Sequence, residues 1–118
     1  MRLEIASHKA IRYSCLYFHY AKTIPVYSIG FNVFNENNEW CGCITFGGGA
    51  NYRLGHSFGL VGGQFLELNR MALNGKQEST SKALSISIKL IKKKYPLVKL
   101  LFSYADKGQN NQGIIYQA

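Results

Sequence analysis

A strand, a capped helix and a second strand follow one another in the second half of this chain, and that order limits the fold more than any other feature. Residues 64–73 begin Gln64-Phe65-Leu66-Glu67-Leu68-Asn69-Arg70-Met71 and alternate, with Leu66 and Leu68 on one face and Glu67 and Asn69 on the other. Ser79, Thr80 and Ser81 are three candidate helix N-caps. The helix behind them sets Leu84, Ile88, Ile91 and Tyr95 on one side, spaced four, three and four apart, and Lys82, Lys89, Lys92 and Lys93 on the other. Pro96 stops it. Residues 97–104 are mostly apolar, as a strand covered on both faces should be. After the loop Gly108-Gln109-Asn110-Asn111, residues 112–118 read as the start of another helix. The fold class is therefore α/β, a mixed central sheet flanked by helices.

The first half supplies the rest of the sheet. Residues 8–21 read as a helix opening at Ser7, with Ile11, Cys15 and Phe18 along one face and Leu16 and Tyr20 beside it. Pro25 closes the connection. Residues 26–34 alternate and are rich in β-branched and aromatic side chains, which predicts a strand. The polar turn Asn35-Glu36-Asn37-Asn38-Glu39 leads to a returning strand over residues 40–46, so the pair is a hairpin. Gly47-Gly48-Gly49 breaks the sheet, and a loop rich in Gly, Arg and His runs to Gly63. There is no internal repeat and no linker, so residues 1–118 form one domain. The chain stops within its last element, without the closing strands of this architecture, and a C-terminally truncated copy is the expectation.

Fourteen Lys and Arg against six Asp and Glu give a net charge of +8, which favours polyanionic partners such as nucleic acid or an anionic membrane surface, nucleic acid being the preferred reading. A merely well-solvated surface is the plain alternative. Three cysteines, Cys15, Cys41 and Cys43, do not make an even disulfide framework, and Cys41-Gly42-Cys43 is too tight for a metal knuckle. Buried reduced thiols of an intracellular protein are the expected reading. Polar and charged residues within the first twelve positions argue against a signal peptide. No apolar run reaches the roughly 20 residues that span a bilayer, so no membrane partner is expected.

Several residues could carry chemistry. A helix N-terminus behind a polar loop offers free N–H groups and partial positive charge to an anion, and the hydroxyls of Ser79, Thr80 and Ser81 with the ammonium of Lys82 could supplement it; a plain helix cap uses the same residues. Asp106 follows an apolar strand, at the edge where open α/β sheets place their sites. It could orient an amine, act as a general base, bind a metal, or simply form the turn Asp106-Lys107-Gly108. Arg70, on a mostly apolar strand, needs an anion or carboxylate partner; Asp106, a DNA phosphate or a cofactor could serve. His19-Tyr20 ends the first helix, where His is stabilised by the dipole or turned into a site. Tyr116 could be a core aromatic or a proton donor.

These blocks together resemble the Mom-like phage DNA-modification proteins, a divergent branch of the GNAT acyltransferase superfamily. The likeness runs through His19-Tyr20 and Pro25, Phe46-Gly47, Leu66-Glu67-Leu68-Asn69-Arg70 and the Ser81 helix. It continues through Ser103-Tyr104-Ala105-Asp106 and Gly113-Ile114-Ile115-Tyr116-Gln117-Ala118. The spaced glycines of the usual GNAT pyrophosphate loop are absent; only Gly75 lies in that loop. The resemblance implies transfer of an acyl-CoA-derived group to the exocyclic amine of adenine in phage DNA, which shields that DNA from restriction enzymes. It implies catalytic roles for Asp106, Tyr116 (general acid to the departing thiolate), Arg70, His19 and Tyr20. Ser79, Thr80, Ser81 and Lys82 would hold acetyl-CoA or a related acyl-CoA. Iron is a further cofactor candidate, duplex DNA the partner, and the bacterial host cytoplasm the location. Tyr20, Tyr52, Phe58 and Tyr104 are available to stack on a flipped base, and Arg53 and the lysine-rich helix to hold phosphates. The rival readings are a GNAT-fold N-acetyltransferase of small molecules or proteins, and a catalytically inactive DNA-binding remnant.

Overall fold

The computed structural model describes residues 1–48, 59–60, 64–104 and 112–117, with only the backbone course given for Tyr104 and for 112–117. Six strands form one sheet: β1 (Arg2–Ile5), β2 (Ile29–Phe34), β3 (Trp40–Gly47), β4 (Phe65–Leu73), β5 (Leu100–Tyr104) and β6 (Gln112–Gln117), side by side in chain order. Every neighbouring pair is antiparallel except β4 and β5. These two are parallel because α2 (Thr80–Lys94) carries the chain back between them. The mixed α/β sheet expected from sequence is thus present.

The first helix, α1 (His8–Tyr17), covers one face of the sheet and α2 the other. Ser7 caps α1 by accepting the Ala10 N–H at 3.2 Å, and Ile11, Ser14 and Cys15 form its buried stripe. They pack on Cys43 and Ala72 of the sheet. The helix ends at Tyr17, four residues earlier than residues 8–21 predict. His19 Nδ1 accepts the Ala21 N–H at 3.1 Å, a local turn that replaces the helical bond. On the other face, Ala83, Ser87 and Ile91 form the fully buried line of α2. Leu84, Ile88 and Tyr95 flank that line half-buried, so the apolar stripe is rotated from the predicted one. Small side chains at Ala83 and Ser87 let the helix sit close to the sheet, and Ser87 Oγ satisfies itself by donating to Leu84 O at 2.6 Å. Phe31, Val33, Ile44, Phe46 and Leu101 meet α2 there. Leu100 and Phe102 pack with Phe65 as a separate group, so β5 is buried on both faces as its composition implied.

Two elements differ from expectation. Residues 2–5 form an edge strand, β1, of which only Leu3 is buried; four residues with one apolar contact leave little periodicity to read. Residues 112–117 form a strand and not a helix, pairing antiparallel with β5 (Leu101 opposite Tyr116, Ser103 opposite Gly113). The β-branched and aromatic run Ile114-Ile115-Tyr116 suits a ladder, and the edge of β5 supplies its partners. The expected absence of any strand beyond β5 is corrected with it.

Bulges set which side chains face which helix. Near Val33 the register slips, with Phe34 opposite Trp40 and Val33 opposite Gly42. Cys41 consequently lies in the α2 core while Cys43 lies under α1. A second slip puts Leu68 opposite Phe46 and Arg70 opposite Thr45, leaving Asn69 as the extra residue.

Candidate active site

The second bulge creates the polar site. Leu66 and Leu68 pack in the α2 core, and so do Met71 and Leu73 beyond the bulge. Alternation therefore reverses between Leu68 and Met71, and Asn69 and Arg70 both fall on the α1 face. Thr45, across from Arg70, shares that face: its Cγ2 lies under Ile11, beside Gly30. Three side chains with hydrogen-bonding tips thus lie on the α1 face of the sheet.

Arg70 is partly tied down. Its Nη1 donates to Asn69 O at 3.0 Å and its Nη2 to Thr23 Oγ1 at 3.3 Å. Its Nε, together with Asn69 Oδ1 and Thr45 Oγ1, is buried with no hydrogen-bond partner among the described residues. Such groups are expensive to leave unpaired, so each of the three calls for a partner. Arg70 Nε can only donate, Asn69 Oδ1 can only accept, and the Thr45 hydroxyl can do either.

Gly47 forms the floor. A Cβ there would stand 2.8 Å from Asn69 Oδ1 and 2.5 Å from Val26 O, so only glycine admits this close approach of backbone and amide. The segment joining α1 to β2 forms one wall, brought down onto the sheet by Thr23 at Arg70 and by the Ser28 N–H bonded to Phe46 O at 2.8 Å. Where β4 meets β5 the sheet opens. The parallel pairing covers only Phe65, Leu66 and Glu67 against Leu100, Leu101 and Phe102, while β4 continues to Leu73 bonded to β3.

The sequence-derived site residues fall into two groups. Arg70, His19 and Tyr20 share the α1 side of the sheet: His19 and Tyr20 lie on the same wall segment as Thr23, with rings stacked at 4.4 Å, and Tyr20 is 74% exposed. His19 and Tyr20 stand just beyond the C-cap of α1, Phe18. Ser79, Thr80, Ser81 and Lys82 sit at the start of α2, against the opposite face. Ser79 is the N-cap and accepts the Lys82 N–H at 3.1 Å; Ser81 Oγ bonds Ser79 Oγ, and Thr80 Oγ1 accepts from Gln77. Beside them the Glu78 carboxylate is held below its ordinary range, chiefly by the Glu36 N–H at 2.9 Å.

Tyr116 is on β6, a strand where a helix was expected. Asp106 lies outside the described residues, as do Tyr52, Arg53 and Phe58, and so does any pairing of Arg70 with Asp106. Thr45 and Asn69 were not singled out from sequence. The polar pair Glu67 and Asn69 on an apolar strand was the available signal for Asn69; Thr45 carried none.

The three cysteines are free and buried. Burial pushes the Cys43 thiol up to about 11 and raises those of Cys15 and Cys41, with the nearby Arg70 charge partly opposing the shift at Cys15. They are core thiols, not nucleophiles. Among the described residues no three His, Cys, Asp or Glu side chains stand close enough to hold a metal. No helix of the described residues is long and apolar enough to cross a membrane.

The fold defines an α/β domain, a mixed sheet with a helix on each face and a group of buried polar side chains under α1. The model of the Mom protein family matches residues 1–118, and the chain belongs to that family. Over 56 residues it is 39% identical to the methylcarbamoylase Mom of Escherichia phage Mu, a match covering 46% of this chain and 23% of that relative. The match thus spans less than a quarter of the relative's length.

Proposed function

We propose that this chain belongs to a DNA-modification enzyme that transfers an acyl-CoA-derived group to the exocyclic amine of adenine in phage DNA, protecting it from restriction in the host cytoplasm. The observation that carries the reading is the family match over residues 1–118, joined by a relative whose name is that of a methylcarbamoylase. A GNAT-like sheet is supported by the early parting of β4 and β5 and by α2 starting just beyond the carboxyl end of β4.

The target amine is stacked inside duplex DNA, so the base must leave the stack and enter a pocket. Adenine presents an amino donor beside a ring-nitrogen acceptor. Asn69 Oδ1 can accept from the amine while Arg70 Nε donates to the neighbouring ring nitrogen, which satisfies both orphaned atoms. Thr45 Oγ1 completes the edge. Thr23 holds the guanidinium in plane, and the exposed ring of Tyr20 offers a stacking surface on the same wall. An exocyclic amine is a poor nucleophile, because its lone pair is delocalised into the ring. It must lose a proton as it attacks, and that role is assigned to Asp106 by the resemblance, with Tyr116 returning a proton to the leaving group.

Acyl-CoA supplies, when bound, an activated acyl carbon. The start of α2 fits its phosphates. Lys82 is exposed, the hydroxyls of Ser79, Thr80 and Ser81 line the first turn, and the Glu78 carboxylate is turned onto Glu36 N–H. No step is assigned to iron.

Nucleosides from DNA of cells expressing the full-length gene, analysed by mass spectrometry, test the reading. A new adenine species that disappears in Arg70→Ala is expected. An unmodified adenine profile would overturn it, and acetylation of free amines with DNA untouched would favour the small-molecule acetyltransferase.

A further inference from the structure

A second concave surface lies on the α1 side, toward the β1 and β2 edge of the sheet. This groove of about 380 Å³ is lined by Ser7, Lys9, Ala10 and Tyr13 of the first helix and its cap, and by Asn32, Phe34 and Trp40 of the sheet. Sites for flat organic ligands span about 300–1,000 Å³, so one aromatic heterocycle fits.

Its walls are specific. The Tyr13 and Trp40 rings are 5.7 Å apart and inclined at 58°, so neither covers the other's face; Phe18 packs on both, at 5.7 and 5.6 Å, and Tyr17 on Tyr13 at 4.5 Å, leaving the remaining exposed surface of the two rings to a ligand. Tyr13 is half exposed although it is a large aromatic on a packed helix. Asn32 points its amide into the same space, and its orientation is determined by its neighbours. Oδ1 accepts from Trp40 Nε1 at 2.9 Å, a group that can only donate, and from Cys43 Sγ at 3.3 Å. The NH2 end is thereby left to donate to a ligand, and no acceptor for it stands among the described residues.

Charge identifies the ligand's class. Lys9 lines the groove and Arg12 follows one helical turn later; neither has an ion pair among the described residues. Arg2, at the groove's far side, lies over the Phe34 ring with its charge shared by Glu4 at 3.3 Å. Aromatic faces, an amide donor and unpaired cations are the elements that hold a base and its phosphate in single-stranded nucleic acid.

We propose that this groove binds an unstacked base of a DNA strand, with the base against Tyr13 and Trp40, the Asn32 NH2 on a ring nitrogen or carbonyl, and Lys9 on the adjoining phosphate. The proposal rests on the DNA reading above and adds a site separate from the Thr45, Asn69 and Arg70 cluster. Its role is to hold the strand.

Trp40 is the chain's sole tryptophan, so its emission reports this groove. The full chain is titrated with a dye-labelled single-stranded oligonucleotide and with an abasic oligonucleotide of equal phosphate number, recording dye anisotropy and Trp40 emission together. Both strands should bind, and only the one with bases should quench Trp40. Tyr13→Ala should weaken binding of the base-bearing strand by roughly 5- to 150-fold, the range for loss of one stacked base, and leave the abasic strand unaffected. Tyr13→Phe should bind as the wild type does. Lys9→Ala should weaken both strands alike and reduce the salt slope by about 0.7. Bound DNA with unchanged Trp40 emission, equal quenching by the abasic strand, or undiminished binding by a Tyr13→Ala variant of native circular dichroism would each overturn the groove while leaving DNA as a partner. No anisotropy change with either strand would overturn the DNA reading itself.

Discussion

Thr23 accepts a hydrogen bond from Arg70 Nη2 at 3.3 Å, joining the segment after α1 to the bulged strand β4 across 47 residues of sequence. That bond holds one end of the guanidinium, while its Nε is buried on the same face of the sheet as Asn69 Oδ1 and Thr45 Oγ1. The recognition edge therefore depends on two elements that meet only in the folded chain.

Arg70→Lys keeps the charge and removes the planar fork. Losing one hydrogen bond to a charged group costs about 1.5–3 kcal/mol, so adenine modification should fall at least about tenfold. Thr23→Val removes only the acceptor and should produce a smaller fall. Modified adenine per total adenine in plasmid DNA, with a thermal melt of each variant, measures both. Wild-type modification by Arg70→Lys would remove Arg70 from the site.

Asp106→Asn keeps size and turn preference but removes the charge. With Asp106 as the base, modification should be lost while the melting temperature stays at its wild-type value. Full modification by this variant would leave Asp106 as a turn residue.

Gly42 and Gly75 both have positive φ, +123° and +91°, yet they should respond differently to alanine. A Cβ at Gly42 would collide with the Ala72 carbonyl across the β3 and β4 ladder, whereas at Gly75 it would meet nothing within 4 Å. Gly42→Ala should cost roughly 2–6 kcal/mol, combining backbone strain and overpacking, and Gly75→Ala roughly 1–3 kcal/mol from strain alone. Urea titration of the two variants checks the order.

The cysteines should be silent in the native state. With Cys43 pushed up to about 11 and all three thiols buried, a disulfide-exchange reagent at pH 8 should find no reactive thiol until denaturant is added, and then three. The same shift has a sign for stability. Above about pH 9 the unfolded chain releases thiol protons that the folded chain retains, so stability should decline between pH 9 and 11. A Cys43→Ala variant should show a flatter decline, although its cavity lowers the whole curve.

Binding of duplex DNA should weaken steeply with salt, since the +8 charge acts through counterion release, with a slope of about −0.9 per phosphate contacted. Equal affinity at two salt concentrations would remove DNA as an electrostatic partner.

Local chemistry was enough to read several elements from sequence. The alternation of Phe31 and Val33, the polar turn before Trp40, the Ser79 cap and the apolar run into Tyr104 each rest on neighbouring side chains, and the structure has a hairpin, a helix and a strand at those places. Family kinship was legible too, because it rests on residue identity. Of the site residues read from sequence, Arg70, His19 and Tyr20 lie on the α1 side of the sheet, Ser79, Thr80, Ser81 and Lys82 at the start of α2, and Asp106 outside the described residues. Tertiary structure decided the rest. The Ile114-Ile115-Tyr116 run satisfies either a helix start or a strand, and the ladder with β5 made it a strand. The extra residue at Asn69 is invisible in the alternation of β4 by itself, since a bulge exists only against a partner; it arises where β3 offers Thr45 and Phe46 to three residues of β4. That one slip in register turns Asn69 and Arg70 to the same face, and with them the hydrogen-bonding edge on which the proposed chemistry depends.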